Sequence, residues 1–254
     1  MRVLSLGWGV QSFTLAAMSA LGEIERFDTM IHADTNHERS GTYDFVRRWQ
    51  PWLEGYGSQV VTVSAGNTRV IDGVSVTIPA FTTDGKSRGQ LRRQCTKDWK
   101  IYPIRRWLQA NRDRHAGHGE PVEMSLGISL DEFQRMKSSD RQYITNRWPL
   151  VEMGMTRQDC ETWLTARGLE IPVKSSCVFC PYLSKPEYRN IKAGGNGDWT
   201  KAVNIDVSIR HIRPPHALYI HQSRTPIEQV DLRTPQEKGQ LNLWNDECSG
   251  LCGV

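Results

Sequence analysis

The sequence predicts an α/β fold built on a doubly wound parallel sheet, and three observations support this prediction. A short apolar segment at 2–6 is followed by a glycine turn and a helical pattern over 11–21. A second apolar segment, 28–33, ends in polar residues and precedes a helical pattern over 40–56. A third segment, 58–64, reads as the next strand. Strands that alternate with helices in this way form parallel sheets with right-handed connections.

The remaining elements continue this alternation with longer connections. Residues 66–94 are rich in Gly, Thr, Ser and Arg, so we expect a long loop with a short strand near 74–78. Thr156 as N-cap, Asp159 three residues later and Gly168 at the end predict a helix over 156–167. Further helical segments are predicted over 96–112, 131–137 and 198–210, a strand over 122–128, and irregular or extended backbone over 172–183 and from 217 onward.

The composition is that of an ordinary globular protein. The 254 residues are 38% hydrophobic and 24% charged, which suits one nucleotide-binding α/β domain over 1–185 and a C-terminal extension over 186–254 packed on it. No apolar run approaches the roughly 18 residues that a membrane span needs, and residues 1–7 do not resemble a signal peptide. We therefore expect a cytoplasmic protein without a membrane partner.

Two segments at strand ends are candidate ligand sites. Gly7 and Gly9 lie between a strand and a helix, where bare backbone amides and the helix dipole favour a phosphate. The second segment follows the second strand, and ligands of open α/β sheets bind at the carboxyl ends of strands. An ordinary turn is the alternative in both places. The predicted nucleotide-binding residues are Ser5, Gly7, Gly9, Gln11, Ser12, Asp34, Thr35 and Glu38.

A basic segment follows the long loop. Seven Lys and Arg residues fall within 88–106, where Asp98 is the one acidic residue. Such a cluster suits a ligand that carries phosphate or sulfate, although a solvated helix face is the alternative. The predicted anionic-substrate-binding residues are Arg92, Arg93, Lys97 and Lys100.

The six cysteines are Cys95, Cys160, Cys177, Cys180, Cys248 and Cys252. In a cytoplasmic chain they are expected to be ligands or catalysts rather than disulfides. Cys95 precedes a basic helix and suits either a metal ligand or a nucleophile. Cys177 and Cys180 form a CxxC pair that can bind one metal or cluster, or act as a redox dithiol. Cys160 falls in an amphipathic helix and is expected to be a small buried side chain.

These motifs together resemble the phosphoadenosine phosphosulfate (PAPS) reductase family, within the adenine nucleotide alpha hydrolase-like superfamily that includes the PP-loop ATP pyrophosphatases. The resemblance covers roughly residues 3–185 and the terminal cysteine motif. It rests on segments that occur in the family's order: Ser5–Ser12 at the PP-loop, Asp34-Thr35 with Glu38 and Thr42-Tyr43, Cys95 with Lys100 and Pro103, Leu126–Ile128, Pro149-Leu150 with Thr156 and Asp159, Cys177-x-x-Cys180, and Glu247-Cys248.

Three departures from the family pattern bear on function. Gln11 stands where the PP-loop has Asp, Cys95-Thr96 replaces a pair of adjacent cysteines, and the terminal motif holds two cysteines. The single Cys-Thr resembles the PAPS-reductase-like proteins of DNA phosphorothioation. The resemblance implies a [4Fe-4S] cluster held by Cys95, Cys177, Cys180 and Cys252, with Cys248 as catalytic nucleophile; Cys248 and Cys160 are the alternative fourth ligands.

The resemblance leaves three functions open. The first is a PAPS-reductase-like oxidoreductase that receives electrons from a thioredoxin-like donor. The second is an ATP-dependent sulfurtransferase that inserts sulfur into nucleic acid, with Mg²⁺ as a further cofactor. The third is a nucleotide-binding sensor with a structural zinc. In each case the small-molecule partner is an adenine nucleotide, either ATP or a PAPS-like compound.

Overall fold

The computed structural model describes residues 1–115, 121–234 and 236–238. Packing within the chain defines two units. The first, called the sheet unit, comprises Met1–Thr68 and Thr96–Ser176. The second, called the CxxC unit, comprises Arg69–Cys95 and the chain from Cys177 onward. The boundary expected at residue 185 stays a prediction.

The strands are numbered in chain order across both units. They are β1 (Arg2–Ser5), β2 (Thr29–Asp34), β3 (Val60–Ser64), β4 (Ile71–Asp72), β5 (Ser75–Val76), β6 (Phe81–Thr83), β7 (Arg88–Gln90), β8 (Val122–Leu126), β9 (Ile144–Arg147) and β10 (Ala217–Tyr219). The α-helices are α1 (Val10–Ala20), α2 (Ser40–Gly55), α3 (Tyr102–His115), α4 (Pro149–Glu152), α5 (Arg157–Ala166), α6 (Lys185–Ala193) and α7 (Asp198–Ile209). A π-helical segment occupies Thr96–Ile101, and 3-10 turns occupy Leu130–Arg135, Ile227–Gln229 and Gln236–Lys238.

The sheet unit holds a five-stranded sheet in the order β3-β2-β1-β8-β9, in which neighbouring strands are parallel. Leu4 on β1 lies opposite Met30 on one side and Ser125 on the other. The predicted α/β fold with a parallel sheet is therefore confirmed. The chain leaves β1 toward β2 and β3 and returns on the other side of β1 to form β8 and β9.

Helices cover both faces of this sheet. Successive side chains of a strand point to opposite faces, so each strand contributes apolar residues to both cores. On one face Leu4 and Met30 pack with Phe13 of α1 and Phe45 of α2. On the other face Val3, Ile31 and Met124 pack with Leu108 of α3. The first core also encloses Cys160 of α5, which is fully buried, as expected for a small apolar side chain. Burial raises the pKa of the Cys160 thiol to about 11.

Helix α5 begins where its sequence predicts. Thr156 accepts from the backbone N–H of Asp159, and the Asp159 side chain accepts in return from the backbone N–H of Thr156. This reciprocal pair satisfies two backbone donors at the start of the helix. Gly168, whose φ is +65°, follows the last turn of α5.

Several elements of the sheet unit differ from the sequence prediction, among them the short helix α4, which was not predicted. The helix expected over 96–112 starts with a π-helical segment, which brings Trp99 against His37, with ring centroids 5.5 Å apart, and Lys100 to Glu38. Strand β9 was not predicted, because it is an edge strand in which Ile144 is the one buried residue and the usual alternation is missing.

The CxxC unit contains an antiparallel sheet of order β10-β6-β7 and the hairpin β4-β5. The fully buried carboxylate of Asp206 on α7 accepts from the backbone N–H groups of Ile220 and Ile227 and from Arg210. This one carboxylate thereby ties α7 to the segment after β10. Helix α6 was not predicted, although Ser184 and Glu187 form a capping box at its start and Pro186 lies in its first turn.

No helix in the described ranges combines the length and the apolar character that a bilayer crossing requires.

Candidate functional site

The carboxyl end of β1 is the switch point of the sheet, because connections leave it in opposite directions toward β2 and β8. The loop after β8 touches the first turn of α1 here. A Cβ atom on Gly127 would lie 2.7 Å from the backbone nitrogen of Ser12, closer than atoms can approach. Gly127 therefore allows two backbone segments to meet where open α/β sheets bind their ligands.

The turn between β1 and α1 is held in shape by Ser12. Its hydroxyl accepts from the N–H of Gly7 at 3.2 Å and donates to the carbonyl of Gly9 at 3.2 Å. Trp8 adopts a left-handed φ of +56°, which costs a residue with a Cβ about 1–2 kcal/mol. Its buried ring stacks near Phe13 and Phe45. Strain of this kind is typical of ligand-binding turns.

Gln11 is buried at the start of α1 and joins three other side chains. Its amide nitrogen donates to the hydroxyl of Ser129 and to the carboxylate of Glu132, both at 3.4 Å. Its amide oxygen accepts from Arg157 at 3.3 Å. A neutral amide that both donates and accepts completes this network, which a carboxylate could not do. Gln11 therefore links α1, the loop after β8 and the start of α5.

Asp34 stands at the end of β2, on the same edge of the sheet. One of its carboxylate oxygens accepts from the backbone N–H of Asn36 at 2.8 Å and from the hydroxyl of Tyr43 at 2.9 Å. Burial and the Asp34 carboxylate raise the pKa of Tyr43 well above its usual value, so Tyr43 stays protonated. Within the described ranges, no Lys or Arg pairs with Asp34.

Glu38 lies four residues beyond Asp34 and is buried with its side chain fully enclosed. It accepts from the ammonium group of Lys100 at 3.1 Å and from the hydroxyl of Ser175 at 3.2 Å. His32 is buried beside it and contacts the carbonyl of Leu6 through Nδ1 at 3.2 Å. Burial lowers the pKa of His32, against the opposing effect of Glu38, so the ring is neutral at pH 7.

Buried polar groups near this edge include three that have no hydrogen-bond partner among the described residues: the indole N–H of Trp8 and the hydroxyls of Thr42 and Ser176. The backbone of Ser176 accepts from the N–H of Arg39, and Thr42 lies in the first turn of α2. Buried donors rarely lack partners in folded proteins. Those two hydroxyls therefore mark a polar spot at the start of α2.

The four predicted anion-binding residues are divided between the units. Lys97 and Lys100 lie in the π-helical segment, where Lys97 packs over the Tyr102 ring at 5.2 Å and Lys100 binds Glu38. Arg92 and Arg93 belong to the CxxC unit, where Arg93 packs over the Tyr182 ring at 5.1 Å. The assignment of these four residues to an anionic substrate stays a prediction.

Three of the four predicted metal ligands belong to the CxxC unit. Cys95, Cys177 and Cys180 are half-buried and form no disulfide within the described chain. The N–H of Cys180 donates to the carbonyl of Cys177 at 3.1 Å, and the hydroxyl of Tyr188 donates to the carbonyl of Cys180 at 2.9 Å. The CxxC pair therefore occupies a tight turn that leads into α6.

The donor chemistry of these cysteines suits an iron–sulfur cluster, which takes thiolates as ligands. In the part of the chain that the structure describes, no three His, Cys, Asp or Glu side chains are arranged to hold a metal ion. The predicted fourth ligand, Cys252, and the predicted nucleophile, Cys248, lie outside the described residues.

The structure places the predicted nucleotide-binding residues at two connections on the carboxyl edge. Ser5, Gly7, Gly9, Gln11 and Ser12 lie at the β1–α1 connection, and Asp34, Thr35 and Glu38 lie at the β2–α2 connection. Their role in nucleotide binding stays a prediction. The sequence analysis did not identify Glu132, Arg157, Ser175 and Ser176, because nothing in the sequence indicates that Gln11 or Glu38 has neighbours so far along the chain.

Comparison with known proteins finds similarity among solved structures. No protein-family model and no curated protein matches the chain. Among solved structures, the fold is similar to that of the U34-tRNA thiolase NcsA from Methanococcus maripaludis with its [4Fe-4S] cluster, at 13% sequence identity and a TM-score of 0.44. The match covers 84% of this chain and 72% of the thiolase. Similarity at this level does not define an activity.

Proposed function

We propose that this chain is an ATP-dependent sulfurtransferase that binds the nucleotide at the carboxyl edge of the sheet unit. The observation that carries the proposal is the close approach of Gly127 to the Ser12 backbone, which brings bare backbone from two loops together at the switch point. Backbone N–H groups at the start of α1 suit phosphate oxygens there. The two unpartnered hydroxyls at the start of α2 offer further donors.

The carboxylates at this edge favour a nucleotide that is accompanied by a divalent cation. They include Asp34, Glu38 and Glu132, of which Glu38 pairs with Lys100 and Glu132 with Arg135. Mg²⁺ is usually bound by one or two carboxylates together with the phosphates of a substrate. Asp34, which no Lys or Arg of the described residues neutralises, is the proposed ligand of that Mg²⁺.

The reaction divides into two balanced steps. An oxygen of the acceptor attacks the α-phosphorus of ATP, and pyrophosphate leaves with the electrons of the broken bond. A sulfur nucleophile at the oxidation level of HS⁻ then replaces the adenylated oxygen, and AMP leaves with that oxygen. In this scheme Lys100 and Arg157 offset charge on the phosphates, and Ser12 keeps the amide-lined turn in shape.

We propose Cys95, Cys177, Cys180 and Cys252 as the residues that hold a [4Fe-4S] cluster. With one thiolate on each of its four irons, such a cluster would stabilise the segments around these cysteines and would leave no iron open, so the HS⁻ of the second step would be free sulfide. Within the chain itself, the turn at Cys177–Cys180 and the Tyr188 hydroxyl that fixes it orient two of these thiols.

Anaerobic assays of AMP and pyrophosphate release from ATP, with MgCl₂, sulfide and single-stranded RNA or DNA as the acceptor, test the proposal. Asp34→Asn should lower Mg²⁺-dependent turnover at least about tenfold, because a neutral amide is a poor Mg²⁺ ligand. Asp44→Asn is the matched control, since Asp44 lies on the exposed side of α2 beside Arg47. Equal turnover in the two variants would sink the assignment of Asp34.

PAPS reduction is the second candidate, and Glu247-Cys248 favours it because it is similar to the terminal Glu-Cys motif of the reductases. In that reaction a Cys248 thiolate would attack the sulfur of PAPS, form an S-sulfonate and expel adenosine 3′,5′-bisphosphate. A dithiol donor would then release sulfite, restore the Cys248 thiol and become a disulfide. Sulfite formation from PAPS with thioredoxin, lost in Cys248→Ser, would establish this reaction in place of the first.

A further inference from the structure

A second candidate site lies in the sheet unit, apart from the carboxyl edge just described. A pocket of about 280 Å³ opens between α3 and the segment that leads into β9. Its lining combines guanidinium groups, phenol rings and one amide: Tyr102, Arg105, Arg106, Gln109, Arg141 and Tyr143.

The pocket carries excess positive charge. Arg105 pairs with both carboxylate oxygens of Asp140, and the Nε atom of Arg141 lies 3.9 Å from the same carboxylate. Arg106 is exposed and forms no ion pair with a carboxylate of the described residues. The pocket therefore has three guanidinium groups and, within the described ranges, a single neighbouring carboxylate to balance them. A pocket that keeps this charge in the free protein suits an anion.

The side chains that line the pocket indicate which kind of anion it suits. Guanidinium groups form planar forks that bind phosphate oxygens in pairs. Tyr102 is 39% exposed and offers a ring face on which an unpaired base can stack. By contrast, the two tryptophans of the basic segment are unavailable for stacking, because Trp99 is buried and Trp107 packs against the core.

We propose that this pocket binds the phosphodiester backbone of a single-stranded nucleic acid, with a neighbouring base on Tyr102. The identification of that nucleic acid as the sulfur acceptor rests on the proposed function, whereas the binding site itself does not. Lys97, which packs over the same Tyr102 ring, extends the positive surface beyond the pocket.

Fluorescence anisotropy of a labelled mixed-sequence oligonucleotide tests the site, using the full chain purified anaerobically. Arg106→Ala/Arg141→Ala should weaken binding at least about tenfold and lower the slope of log Kd against log salt by about 1.4, which is about 0.7 for each lost contact with a single-stranded phosphate backbone. Arg47→Ala is the matched control, because Arg47 is an exposed helical arginine of the same unit. Wild-type affinity and slope in the double variant would overturn the proposal.

Competition distinguishes the sources of phosphate. Unlabelled single-stranded RNA or DNA should displace the probe at micromolar concentration, while inorganic phosphate and AMP should not do so at millimolar concentration. Displacement by inorganic phosphate at the same concentration as the oligonucleotide would overturn the proposal in favour of a free-phosphate site.

A second readout separates this inference from the proposed function. Binding of ATP in the presence of MgCl₂, measured without nucleic acid, should be the same in the double variant and the wild type. If the wild type does not bind ATP but binds the oligonucleotide through Arg106 and Arg141, the proposed function fails and the binding site stands. If ATP binding is normal and the oligonucleotide does not bind, the binding site fails alone.

Discussion

At the scale of single residues, the ion pair between Glu38 and Lys100 governs the stability of the candidate site. The Glu38 side chain is fully enclosed, so loss of its cation leaves a buried carboxylate with one remaining donor, Ser175. Lys100→Met should therefore destabilise the fold by about 2 kcal/mol, since part of the Lys100 side chain is in solvent. Urea unfolding measures the change. The double variant Glu38→Gln/Lys100→Met should recover part of the loss, and a double variant less stable than Lys100→Met would contradict this account.

The buried His32 makes stability depend on pH. Burial lowers its pKa in the folded state, so the unfolded chain binds the proton more readily. Stability is then fully present above the ordinary His pKa, about 6.5, and declines as pH falls toward the lowered value, by up to about 1.4 kcal/mol per pH unit. Unfolding midpoints of His32→Gln between pH 7 and 5 should fall less steeply than those of the wild type. His211→Gln, a substitution at an exposed histidine, is the control for the loss of one imidazole.

Thiol reactivity should follow the burial of the cysteines. The raised pKa and full burial of Cys160 predict that it resists iodoacetamide at pH 8 in the folded protein, while the half-buried Cys177 and Cys180 are alkylated after metal removal. Peptide mass spectrometry reads each site. Alkylation of Cys160 as fast as that of Cys177 would show that the core around α5 opens.

At the scale of elements, α5 depends on its capping box. Thr156→Ala removes the side chain that accepts from the N–H of Asp159 and should cost about 1 kcal/mol. Thr165 provides the control, because its hydroxyl bonds to the Glu161 carbonyl within the same helix and replaces no missing backbone contact. Thr156→Ala should therefore have a lower thermal unfolding midpoint than Thr165→Ala. Equal midpoints would mean that the capping box contributes nothing to stability.

The elements also show what the sequence could and could not predict. Helix α5 was predictable because Thr156, Asp159 and Gly168 act over short distances along the chain. Strands β1 and β2 were predictable because both are apolar and end in polar residues. Gln11 meets Glu132 and Arg157 across 121 and 146 residues, and such contacts follow from the folded path rather than from any local pattern. Strand β9 has a single buried residue and leaves no periodic signal.

At the scale of the whole molecule, the proposed cysteine ligands come from segments that are far apart in the sequence, so the metal content should depend on each of them. Cys95→Ala should lose most of the iron and sulfide of an anaerobic preparation, because the cluster would keep too few thiolate ligands. Cys160→Ala is the matched control and should retain both, since Cys160 lies in the core of the sheet unit. Iron, sulfide and zinc analysis with visible absorbance gives the result. Zinc without sulfide in the wild type would favour the structural-zinc alternative.

The burial of helix α1 has a consequence for amide hydrogen exchange at the candidate site. All eleven of its residues are buried, and the glycine turn leads directly into the start of the helix. Amide hydrogens of α1 should therefore exchange with deuterium at rates set by global unfolding, among the slowest in the chain. The glycine turn is therefore attached to a stable helix. Bound nucleotide should slow deuterium uptake in the segment around Ser175 and Ser176 and leave uptake in α1 unchanged.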